Sequence, residues 1–195
     1  MMSSSIIIGA PPALLLVDVS RNHAGWESAF CDRLFTAMVR RRLTLVGDTC
    51  VKVVAPDHLE HHLASLSSAN CVLLLGQSME SANGLDAEIL NYIAWLKANV
   101  VGPKLLATCS WQSYDPALAD ELLKAPGNFV SLALTQQSPV TSREAGLFFL
   151  KFFSELNIHS EGHMSGRMAW FSWLKATELL KRRRLKGRFG LRLRA

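Results

Sequence analysis

The chain has 195 residues, enough for one well-buried core and too few for two ordinary domains. An apolar share of 49% against a charged share of 19% excludes a disordered chain, and no apolar run approaches the ~20 residues that span a bilayer. The net charge of +5 is unevenly placed: the last fifteen residues, KRRRLKGRFGLRLRA, hold eight Lys or Arg and no acid, leaving thirteen basic and sixteen acidic residues elsewhere.

The opening MMSSSIIIGAPPALLLV has neither the basic start nor the cleavage site of a secretory signal, so it reads as part of the fold. Residues 13–19 (ALLLVDV) form an apolar run with a polar stop, predicting a strand. Helical periodicity follows over 27–41. Residues 50–55 (CVKVVA) are rich in β-branched side chains and end at Pro56, predicting a second strand. Asp57 with Glu60 three positions on has the spacing of a capping box for the next helix. Residues 71–75 (CVLLL) suit a strand buried on both faces. A helix over 86–98 places Ile89, Leu90, Ile93 and Leu96 on one stripe.

The fourth strand is expected at 104–108 (KLLAT). Asp115 and Pro116 make an N-cap and first-turn pair for a helix over 117–124, which Gly127 stops. A fifth strand follows at 129–134 (FVSLAL). Thr141 and Glu144 form another capping box, opening a helix whose Phe148, Phe149, Phe152, Phe153 and Leu156 call for burial. A last helix is expected over 164–180. The chain then reads as one α/β domain over 1–180 with a basic, solvated tail over 181–195.

Alternating strands and helices predict a doubly wound, mostly parallel sheet of about five strands in a flavodoxin-like order. Such sheets bind ligands beyond the C-terminal strand ends, near the point where strand order reverses. The candidate residues there are Asp18 and Ser20, Gln77 and Ser78, and Cys109 and Ser110. No glycine-rich phosphate loop follows any strand, so no nucleotide cofactor is expected. The four cysteines form no CxxC pair, and His58, His61 and His62 lack further convincing ligands. No metal is expected; these histidines, with His159 and His163, read as exposed.

From the third strand onward, NCVLLLGQS, then GPKLLATCSWQS, then SPVTSREAGLFFLKFFSEL, the chain resembles the CHAT family of caspase-like cysteine peptidases. That family ends one strand in a His-Gly pair and the next in a cysteine, ahead of a helix rich in aromatic residues. The resemblance covers roughly 70–180 and implies a caspase-like fold with Cys109 in the place of the nucleophile. Gln77 then stands where the catalytic histidine belongs, and Ser78 where the glycine belongs. Glutamine orients groups by hydrogen bonds but exchanges no proton near neutral pH. The resemblance therefore implies a pseudoenzyme: a cytoplasmic protein-binding or regulatory module for a protein or peptide partner, with Gln77, Ser78, Asp18 and Ser110 as binding residues.

Two alternatives accompany that reading. One is an active cysteine peptidase or hydrolase using Cys109. The other rests on ALLLVDVSRN, which resembles the opening strand of isochorismatase-like hydrolases and would pair Asp18 with Cys109, although the lysine of that family is missing from GQSMESANG. The basic tail allows, in addition, a weak polyanion contact with nucleic acid or an anionic membrane.

Overall fold

A computed structural model describes residues 7–8, 10–20, 26–76, 87–100, 102, 104–110, 123, 130–160 and 163–193. The elements in chain order are β1 (Ile7–Ile8), β2 (Leu14–Asp18), α1 (Trp26–Arg40), β3 (Val51–Lys52), a 3-10 helix (Pro56–His62), α2 (Leu63–Ser68) and β4 (Cys71–Gly76). They continue with α3 (Ala87–Asn99), β5 (Lys104–Ser110), β6 (Val130–Gln136), α4 (Ser142–His159), β7 (Met164–Ser165), α5 (Gly166–Arg182) and β8 (Phe189–Leu193).

Six strands form one sheet in the order β3-β2-β4-β5-β6-β8. The first five are mutually parallel, and β8 closes the far edge antiparallel to β6. The five parallel strands thus follow the flavodoxin-like order expected from the sequence, with the reversal of strand order between β2 and β4. A separate two-stranded ribbon pairs β1 with β7.

Strand residues alternate between two cores because successive side chains point to opposite faces. Leu14, Leu16, Leu73, Leu75, Leu105 and Leu134 pack under α1, α4 and α5. Leu15, Val17, Val72, Leu74 and Leu106 pack on the other face with Leu59, Leu66, Ile93 and Leu96 of the 3-10 helix, α2 and α3. Helices on both faces explain why β2 and β4 are continuous apolar runs rather than alternating ones.

Helix α4 forms as the sequence predicts. The Thr141 hydroxyl accepts the Glu144 N–H, and the Glu144 carboxylate accepts the Thr141 N–H at 2.8 Å. Phe148, Phe149, Phe152, Phe153 and Leu156 are all buried, and Phe148 stacks on Phe189 of β8 with ring centres 4.0 Å apart.

Several expectations are corrected. The strand foreseen at 50–55 is only two residues long, because β3 is an edge strand and Pro56 turns the chain away. The Asp57–Glu60 capping box does not form: Ala55 is the N-cap without a side-chain bond, and the segment winds as a 3-10 helix. Leu90 is 38% exposed, while Ile93 and Leu96 of the same stripe are buried. Met164 and Ser165 belong to β7, and Ser165 caps α5 through the Met168 N–H. The expected helix over 117–124 lies outside the described residues apart from Leu123, which is helical.

The largest correction concerns the C-terminus. Residues 181–182 complete α5 and residues 189–193 form β8, so this segment is an edge of the main sheet, not a solvated tail. Its alternating Phe189, Leu191 and Leu193 supply the two-residue period of a strand. The density of cations obscured that pattern.

Candidate functional site

The parallel register fixes which residues share the C-terminal edge of the sheet. Asp18 lies opposite Leu75, and Leu75 opposite Cys109. Thr108 pairs with Thr135, so the next pair along is Cys109 with Gln136. Asp18, Leu75, Cys109 and Gln136 therefore form one transverse row, facing the layer of α1, α4 and α5.

Gly76, at the end of β4, passes very close to the chain leaving β2. A Cβ there would lie 2.5 Å from the Val19 side chain, so only glycine permits this approach at the reversal point. The Val19 N–H bonds the Leu75 carbonyl at 2.8 Å, holding the two strand ends together.

Cys109, expected just beyond a strand that stops at 108, lies within that strand instead. It is the penultimate residue of β5, completely buried, and its Sγ–H donates to the Gln136 Oε1 at 3.2 Å. Burial pushes its thiol well above the ordinary range. Gln136 was missed because the fifth strand was expected to stop at 134, whereas the β-branched Thr135 and then Gln136 continue the ladder beside β8.

Asp18 is also fully buried, and its Oδ1 accepts the Ser20 N–H at 2.9 Å. Two strand spacings separate its row position from that of Cys109, about 9–10 Å. A carboxylate at that separation takes no proton from the thiol directly. The Ser20 hydroxyl is buried and has no hydrogen-bond partner among the described residues. Ser110 closes β5 opposite Gly76. Gln77 and Ser78, the residues that follow Gly76, lie outside the described residues.

The other cysteines are buried, as small apolar side chains would be. Burial raises the Cys71 thiol, and its sulfur contacts the Met164 Sδ at 3.6 Å. A hydrogen bond with Cys50, then burial and the nearby Asp18 charge, raise Cys31 as well. Cys50 itself lines an open cleft of about 840 Å³ between α1 and β3, with Asp32, Asp48, Lys52 and His62 around it. The Lys52 ammonium donates to Asp32 there at 2.9 Å.

His58, His61, His159 and His163 are exposed, and His62 is half-buried in that cleft. Among the described residues, no group of three or more His, Cys, Asp or Glu side chains converges as a metal site would. None of the described helices is long and apolar enough to cross a membrane.

No protein-family model matches the chain, and no curated protein matches it.

Proposed function

We propose that this chain is a caspase-like, CHAT-type domain, degenerate in its catalytic pair, that binds a protein or peptide partner at the C-terminal edge of its sheet. The observation that carries this reading is the state of Cys109. A nucleophilic cysteine acts as a thiolate, in reach of a base and open to substrate. The Cys109 thiol is buried, raised in pKa, and bonded to an amide oxygen that accepts no proton near neutral pH.

Two further features support binding at this edge. Strands β4 and β5 are neighbours, so the strand that leads to Gln77 runs beside the strand that carries Cys109, with Gly76 paired to Ser110. The buried Ser20 hydroxyl, at the reversal point, has no partner among the described residues, and an incoming polar group would supply one. The exposed cations at the end of α5 and in the turn before β8 give the module a second surface, suited to a polyanion.

The test is labelling with a peptidyl chloromethyl ketone at neutral pH, comparing wild type with Cys109→Ala. Cys109 should stay unlabelled in the folded protein and react once urea unfolds it. Rapid modification of Cys109 in the native state would overturn the proposal and favour an active cysteine hydrolase.

A further inference from the structure

Charge divides this molecule sharply. Residues 166–195 hold ten Lys or Arg and one acid, Glu178, while residues 1–165 hold eleven basic and fifteen acidic residues. The fold places the described cations of 166–195 on a fixed scaffold. Lys181, Arg183, Arg184, Lys186 and Arg188 are exposed at the end of α5 and in the turn before β8. That turn is clamped from beneath: the Glu144 Oε1 accepts the N–H groups of Lys186 and Gly187 at 2.8 and 2.9 Å, and the Arg188 N–H donates to Ser138.

The same helix exposes apolar groups. Helix α5 buries Ala169, Ser172, Ala176 and Leu180 against the protein. Its opposite side presents Arg167, Trp170 and Phe171, with Lys181 beyond them; Trp170 is 36% and Phe171 38% exposed. Ile158, at the end of α4, is 64% exposed, and the ring of the next residue, His159, meets Phe171 edge-on at 4.9 Å. Lys175 lies over the Phe171 ring, 5.1 Å from its centre. The outer side of α5 therefore carries large apolar side chains, a cation at its near end and a cation cluster at its far end, and its one acid, Glu178, is paired with Arg182. With 17 residues, the helix that carries it is about 25 Å long.

From this juxtaposition we infer that the outer face of α5, with the turn after it, docks on an anionic lipid bilayer. Charge complementarity supplies the attraction, because each Lys or Arg near such a surface gains by screening its negative potential. Ile158 and Trp170 enter the boundary between headgroups and acyl chains, where an aromatic ring with a polar edge is favoured. Nucleic acid fits less well, since phosphate contacts use the cations and leave Ile158 without a role. This surface is distinct from the edge that holds Cys109, and its test is independent of that reading.

The experiment is vesicle flotation of the full chain, with phosphatidylcholine vesicles, the same vesicles containing phosphatidylserine as a minor component, and single-stranded RNA in parallel. Retention is expected on the phosphatidylserine vesicles alone, weakening as salt rises. Arg183→Glu combined with Lys186→Glu and Arg188→Glu should weaken it by at least about tenfold. Ile158→Ser with Trp170→Ser should weaken vesicle binding by roughly tenfold as well, through lost apolar insertion. Circular dichroism and the urea midpoint establish that each variant is folded, and Ile158→Ser alone replaces the pair if the pair is not. Equal retention on both vesicle types overturns the inference. So does vesicle binding indifferent to the apolar substitutions, or binding to RNA that matches binding to the vesicles, either of which marks a nonspecific polyanion contact.

Discussion

Glu144 is the residue on which the C-terminal half of the fold converges. Burial raises its carboxyl pKa, but the Thr141, Gly187 and Lys186 N–H groups and the Thr141 hydroxyl together outweigh burial and hold it below the usual carboxylate range. A Cβ on Gly187 would meet the Glu144 side chain at 3.2 Å and Val140 at 3.0 Å, so glycine lets the turn close onto the carboxylate. A carboxyl with a depressed folded-state pKa adds stability above its unfolded value, about 4.3, and loses that contribution as pH falls through the folded value. Glu144→Gln should therefore cost about 1–3 kcal/mol near neutral pH and flatten the acid limb of the stability curve. Urea titrations of both proteins between neutral and acid pH measure this. Parallel curves would show that Glu144 is not the titrating group.

At the scale of elements, helix α4 was the most legible piece of the chain. Its capping box and aromatic run were both readable, and both are realised in the structure. Local chemistry dictated the outcome there, since the cap satisfies backbone groups of its own helix. The Asp57–Glu60 pair shows the converse: the same spacing produced no cap, because Pro56 set the start of a tighter helix. Phe149 and Phe152 are fully buried, and truncating either to Ala should cost about 3–5 kcal/mol. Chemical denaturation of each variant measures that loss, and a loss below about 1 kcal/mol at both sites would contradict the packing described. The site was harder to read than the helix. Strand periodicity placed Cys109 just past the end of the correct strand, whereas β5 runs on to Ser110 and the burial of Cys109 depends on the helices of the facing layer. Gln136 became visible only through register with β5. Such non-local pairings leave no mark in a short stretch of sequence.

At the scale of the molecule, the feature that most changes the picture is the edge strand β8. A sheet of five parallel strands would end at β6 with an open row of backbone donors and acceptors. Five residues of β6 pair with β8, from Leu132 with Leu193 to Gln136 with Phe189. The Phe189 ring stacks on Phe148 and sits edge-on to Phe149, and its carbonyl accepts the Trp173 Nε1–H at 2.7 Å. The cation-rich C-terminus thus seals both an edge and a face of the main core. A chain ending at Leu180 should lose at least about 4 kcal/mol, since it forfeits a buried aromatic residue as well as the ladder. The Glu144 carboxylate would also lose two of its backbone donors. Urea midpoints and size-exclusion chromatography of the two chains read the result. The shortened chain should unfold at lower urea and self-associate through the bared β6 edge, and unchanged stability with a monomeric profile would refute the assignment of β8. The same argument dictates how the anionic-lipid surface must be probed. Removing the C-terminus would abolish binding by unfolding the sheet edge, whereas charge reversal at exposed Arg183, Lys186 and Arg188 leaves the backbone bonds of the turn in place.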